Sequence, residues 1–148
     1  SIGGDVADLP TGAAIYYFSS TSIGGDVADL PTGAAIYYFN NTSIGGDLNG
    51  FAALGTEIDL IYLYGCINIT GYTSTTLQNV SADNLANIRL YSIGLISTEV
   101  DSFIIDLAAA QTGDGYLSIG GTNAARTSAS NAAVAALFAL GWDVLVNE

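Results

Sequence analysis

The ionisable side chains of this 148-residue chain are almost all acidic. Fourteen Asp and Glu stand against two arginines, Arg89 and Arg126, with no lysine and no histidine, for a formal net charge of −12. The chemistry this allows is narrow. Without histidine there is no Ser-His-Asp or Cys-His relay, no HExxH zinc site and no imidazole base. The one cysteine, Cys66, forms no intrachain disulfide and no thiolate cluster, and reads as a small core residue. Paired carboxylates could in principle cleave a glycosidic bond. Here, however, the acids recur at equivalent places in identical repeats, which is a structural pattern and not an asymmetric acid/base pair. The chain reads as non-catalytic and without a cofactor.

Two arrangements remain that could do work. Asp5, Asp26 and Asp47 each follow Gly-Gly, and Asp8 and Asp29 come three residues after the first two. If repeats stack, these carboxylates approach one another, and calcium between neighbouring turns would relieve the repulsion. The competing reading is that each Asp caps a local turn. The GGxGxDxUx nonapeptide of calcium-binding coils is absent, and so is the GxxxxGK[ST] phosphate loop. The second arrangement is aromatic. Tyr17, Tyr38 and Tyr91, with Arg89 among them, fall where an alternating strand faces outward, and Tyr62 and Tyr64 join them if the third copy uses the frame that buries Cys66. Tyrosines in rows one strand apart make a stacking platform for sugar rings or a protein surface, or simply pair across strands to stabilise a sheet.

Positioning these residues falls to an internal repeat. Residues 1–18, SIGGDVADLPTGAAIYYF, recur letter for letter at 22–39, and a third copy starts at Ser43-Ile44-Gly45-Gly46-Asp47, so the period is 21 residues. Fixed periods of this length indicate stacked coils in which each unit buries its apolar face against its neighbours. Later copies lengthen, with strand candidates around Ile61, Ile88 and Leu117. The fourth copy, Leu85-x-x-Ile88-x-Leu90-x-x-Ile93-x-Leu95, fits the rule LxxLxLxxNxL, with Ile93 in the asparagine place. The same frame sets Tyr16, Phe18 and Thr21 inward in the first copy and Tyr37, Phe39 and Thr42 in the second. In the third copy, a frame with Ile61, Leu63 and Cys66 inside competes with one that buries Tyr62 and Tyr64.

These repeats resemble bacterial leucine-rich repeats of the type DLxxGLxYxxxxxTxIxGD, found in surface and phage-associated proteins of Bacteroidetes-like bacteria. The tail, GYLSIGGTNAARTSASNAAVAALFALGWDVLVNE, is similar to the NAA…GW.V segment that ends such arrays. The departure is Ala13-Ala14-Ile15, where the family pattern carries leucine. Pattern and resemblance together give the expected fold. It is an α/β solenoid, a leucine-rich-repeat-like right-handed coil with parallel β-strands, short connecting turns or helices and a C-terminal helix-strand cap. Its single domain divides into regular repeats at 1–66, irregular repeats with a helix at 67–114 and the cap at 115–148.

Helix signals are confined to the second half. Thr98 stands as an N-cap before Glu99 and Asp101, with Val100, Phe103, Ile104 and Leu107 at helical spacing and Gly113 beyond. A second helix is expected from Ser128 to Leu140, with Val134, Leu137 and Phe138 as its apolar face and Gly141 as its stop. Trp142 to Val146 then reads as a closing strand, and Arg126 as a tether for the cap loop. The N-terminal end shows no comparable cap.

Composition sets the remaining expectations. Two cations cannot neutralise enough phosphates for nucleic-acid binding, and no apolar run reaches the roughly 18 residues that span a bilayer. Neither an initiator Met nor a signal peptide is evident, as in a processed chain. Asn40, Asn41, Asn68 and Asn79 stand in Asn-x-Ser/Thr sequons. The expected role is an extracellular, cell-surface or virion structural protein that self-associates through repeat edges, its partner being itself. The alternative is an adhesin or tail-fibre module that binds glycan or protein through the tyrosine strip, as the family resemblance implies.

Overall fold

The computed structural model describes residues 3–55, 58–77 and 86–148. Parallel strands make two sheets, neither closed into a barrel, with few helices. β1 (Gly3–Asp5), β3 (Ser22–Asp26), β5 (Ser43–Asp47) and β7 (Asn68–Gly71) lie side by side in one sheet. β2 (Ile15–Tyr17), β4 (Ile36–Tyr38), β6 (Leu60–Tyr62), β8 (Ala86–Arg89), β9 (Gly115–Ser118) and β10 (Asp143–Leu145) line up in that order in the other. Up to β8 the chain alternates between the sheets.

Over their described residues, 3–18 and 24–39, the identical segments take the same course and lie next to each other. Ile15, Tyr16 and Tyr17 pair in register with Ile36, Tyr37 and Tyr38, and Val6–Asp8 and Val27–Asp29 form matching 3-10 turns. The strands are short because each Ile-Tyr-Tyr supplies only one inward side chain before the chain must turn. Those inward positions form rows. Tyr16, Tyr37, Ile61, Ile88, Leu117 and Val144 fill one, and Phe39, Leu63, Leu90 and Ile119 the next, all buried. The buried phenols keep a partner: Tyr37 Oη donates to the Pro31 carbonyl at 2.7 Å and Tyr16 Oη to that of Pro10. The third copy uses the frame with Ile61, Leu63 and Cys66 inside, which leaves Tyr62 and Tyr64 on the outer face. Leu85 of the fourth-copy motif lies outside the described residues.

Two helices finish the fold. α1 (Ser97–Ala110) buries Val100, Phe103, Ile104 and Leu107, and Phe103 meets the rings of Phe51 and Tyr72 edge-on. Its N-terminal cap is not Thr98. The cap is Ile96, two residues earlier, and the Glu99 carboxylate accepts the free N–H of Ile96 at 2.9 Å, since an acid three places into a helix reaches back to the cap position. α2 (Asn131–Ala139) follows a 3-10 turn at Ser128–Ser130, so the α-helix begins three residues later than the spacing suggests. Val134 and Leu137 are buried as expected. Phe138 is 55% exposed, because the packed face turns through Val134 and Leu137 and leaves the next position pointing away. Gly141, at φ +92°, ends the helix, and β10 joins β9 in parallel.

The helices are latched by one buried acid. Asp101 on α1 accepts from the Thr127 N–H (3.0 Å), the Thr127 hydroxyl (2.6 Å) and the Ser130 hydroxyl (2.6 Å). Burial works against its charge, yet the hydrogen bonds from Ser130 and Thr127 outweigh that and hold its carboxyl below the usual range. Arg126 ties the cap loop as expected, pairing with Glu148 at 2.8 Å.

Candidate functional site

The outer face of the six-stranded sheet gathers the aromatic residues. Register fixes two rows across it. One runs Tyr17, Tyr38, Tyr62, Arg89, Ser118, Leu145, and the other Ile15, Ile36, Leu60, Asn87, Tyr116, Asp143. Tyr64 and Tyr91 sit just past the ends of β6 and β8 and extend the surface beyond the first row. Neighbouring rings touch along its length. Tyr17 stacks on Tyr38 with centroids 4.3 Å apart and planes 10° from parallel; Tyr38 meets Tyr62 edge-on at 4.6 Å; Tyr62 and Tyr64 lie 6.2 Å apart, and Tyr64 and Tyr91 5.5 Å. Tyr17 is 63% exposed and Tyr91 42%. The Tyr17–Tyr38 and Tyr38–Tyr62 spacings are close to that of adjacent parallel strands, roughly 4.8 Å, and Tyr64 carries the contact on to Tyr91.

Arg89 belongs to this surface. Its guanidinium lies 5.6 Å from the Tyr62 ring centre and 5.1 Å from that of Tyr116, and its Nε donates to Asn87 Oδ1 at 3.0 Å. Flanked by two rings, it is held flat as part of the platform. At the outward positions of the six strands the only ionisable groups besides the phenols are Arg89 and Asp143. Partial desolvation and the neighbouring Tyr17 push the Tyr38 phenol up, so it stays neutral well past physiological pH. The face is therefore nearly uncharged on a chain of net charge −12. It suits the apolar face of an uncharged ring or a flat neutral protein surface.

The aspartates do something else. Asp5, Asp26 and Asp47 each accept the backbone N–H two residues on, from Ala7, Ala28 and Asn49 at 2.8–2.9 Å, and so cap three 3-10 turns. Asp47 also takes the N–H and hydroxyl of Thr73, and these bonds overcome partial burial to keep its carboxyl below the usual range. Glycine makes room for the stacked carboxylates: Asp5 lies over Gly25 and Asp26 over Gly46, where any Cβ would collide with the carboxylate. Among the described residues no three His, Cys, Asp or Glu side chains converge as a metal site, so nothing here supports calcium at Asp5, Asp26 or Asp47. Asp8 and Asp29 are exposed.

Cys66 is fully buried. Its thiol donates to the Phe39 carbonyl and meets the Thr42 hydroxyl, and burial pushes it up. Of the sequons, Asn40 is half-buried, Asn41 is exposed in a left-handed turn, Asn68 is exposed with its amide on the Ser43 carbonyl, and Asn79 lies outside the described residues.

Two residues escaped the sequence reading. Tyr116 is one, and its alternation with buried Leu117 was the available signal. Asn123 is the other. Its Oδ1 accepts from the N–H groups of Ile93, Gly94 and Leu95 (2.8–3.2 Å), and its Nδ2 donates to the Leu90 and Ile119 carbonyls at 2.7 and 3.0 Å. In sequence it falls at Leu117-x-Ile119-x-x-x-Asn123, one place later than the asparagine of the pattern LxLxxN.

No family model, curated protein or solved structure matches this chain. No helix among the described residues is long and apolar enough to cross a membrane.

Proposed function

We propose that the chain is a leucine-rich-repeat-like solenoid and works as a non-catalytic extracellular recognition module, holding a glycan or protein on its tyrosine face. The solenoid part is supported by the in-register pairing of the identical segments and by Asn123, which does the backbone-satisfying work of a leucine-rich-repeat asparagine. The observation that carries the functional part is the unbroken contact of outward rings from Tyr17 to Tyr91 on a surface almost free of charge. A sheet that needed aromatic pairs only for stability would gain little from leaving Tyr17 largely in water.

The test is an array of neutral, acidic and sulfated glycans, probed with the native chain and with Tyr17→Ser/Tyr38→Ser. Losing two stacking surfaces worth about 0.5–1.5 kcal/mol each lowers affinity by about fivefold to 150-fold. Equal retention of both proteins would contradict the assignment.

End-to-end self-association is the second reading, favoured by one observation. β4 takes β2 in register on one side, and the other edge of β2 has no strand paired with it among the described residues, so a strand of the same sequence from a second copy would seat there. Filaments in negative stain would support it; monodisperse protein at high concentration would count against it.

A further inference from the structure

At the β9–β10 end the tyrosine face does not stay flat. Ser118 and Gly120 stand where the preceding strand carries Arg89 and Tyr91, and a notch of about 290 Å³ opens, lined also by Gly121, Tyr91, Leu145 and Asn147. The Tyr91 ring lies against the two glycines, and a Cβ on Gly121 would collide with it, so this wall of the notch is set by the backbone beneath. Leu145, 49% exposed, supplies a second apolar surface.

The polar atoms are few and neutral. Asn147 Nδ2 is tied to the Gly121 and Asn123 carbonyls at 3.0 and 2.7 Å, which fixes the amide and leaves Oδ1 without a partner among the described residues. The Ser118 hydroxyl has no partner there either. No charged residue lines the notch. Apolar walls with fixed neutral acceptors match a ring that carries C–H groups on its faces and hydroxyls at its rim. They do not match an anion, which the net charge of −12 would also repel. The volume lies at the small end for ligand sites, enough for a single ring and too little for a branched chain.

Resting on the recognition reading, we infer that this notch is a subsite for one uncharged sugar ring, stacked on Tyr91 and hydrogen-bonded to Asn147 Oδ1 and the Ser118 hydroxyl. The flat strip from Tyr64 towards Tyr17 receives the rest of the saccharide.

The probes are methyl glycosides of glucose, galactose, mannose and N-acetylglucosamine, and their neutral oligomers, titrated into isotopically labelled protein. Binding of at least one glycoside should shift the Gly120, Gly121 and Asn147 amide signals. Ser118→Leu, which fills the notch, should abolish those shifts and weaken oligomer binding about tenfold, while Tyr17→Ser/Tyr38→Ser should leave monosaccharide shifts intact. Tyr91→Ser gives the same readout at an exposed position should the leucine variant not fold. Unchanged glycine and Asn147 signals in the native protein with all four glycosides would overturn the subsite. Oligomer binding lost in the Tyr17/Tyr38 variant but retained in Ser118→Leu would also overturn it and leave the strip as the binding face. The converse pattern would retain the subsite and remove the strip.

Discussion

Gly46 shows how a single residue type holds the repeats together. It sits at φ +86°, and the Asp26 carboxylate of the preceding copy lies where a side chain would be. That carboxylate cannot simply move, because it caps the next turn through the Ala28 N–H. Gly33, at φ +83°, has open space around it. Gly33→Ala should therefore lose only the left-handed backbone preference, about 1–2 kcal/mol, while Gly46→Ala adds the lost cap, for about 2–3 kcal/mol in all. Urea denaturation of the two variants measures the difference. Equal losses would mean that the Asp-over-Gly contact contributes nothing.

At the scale of elements, the α1–α2 latch ties stability to pH. Asp101 is held below the usual carboxylate range, as is Asp47, so each contributes stability that is complete above the unfolded-state carboxylate pKa and drains away as pH falls through the lower folded value. Melting temperature should therefore drop below about pH 4, and Asp101→Asn should flatten part of that drop while lowering stability at neutral pH. A native profile with no acid-side decline would contradict the latch.

The same scale shows what could be read beforehand. Alternation along Ile-Tyr-Tyr placed Tyr16 and Tyr37 inside and Tyr17 and Tyr38 outside, because a strand exposed on one face has only two choices per residue. The third copy stayed open on sequence because Ile61-Tyr62-Leu63-Tyr64 is apolar in both frames; packing of Leu63 and Cys66 against Phe39 decides it. Four strands in a second sheet, β1, β3, β5 and β7, were not legible. The Ser-Ile-Gly-Gly-Asp of β3 and β5 carries two glycines, which read as a turn, and the Asn-Ile-Thr-Gly of β7 does not repeat that pattern. Phe138 and Thr98 failed for a related reason: helical spacing gives a face but not which edge of it is covered, and a cap can come from inside the helix.

For the whole molecule, the proposed solenoid implies that stability is a sum over neighbouring repeats. Deleting residues 22–42 joins Thr21 to Ser43 and restores the sequence pattern of one copy abutting the next. The shortened chain should keep its circular-dichroism signature per residue and melt cooperatively at a lower temperature. Loss of folded structure on removing a single copy would contradict a solenoid, since nothing but the adjoining copies should notice. The charge distribution also belongs at this scale. The repeat aspartates lie on the turns that follow β1, β3 and β5, and the six-strand face is left nearly neutral, so long-range repulsion and short-range contact are assigned to different surfaces.

The most direct test of recognition by the tyrosine face is amide chemical-shift mapping of the native protein with a neutral oligosaccharide retained on the glycan array. Shifts should concentrate on β2, β4, β6 and β8, with β1, β3 and β5 silent. Shifts centred on the four-stranded sheet, with the tyrosine strands unmoved, would contradict it.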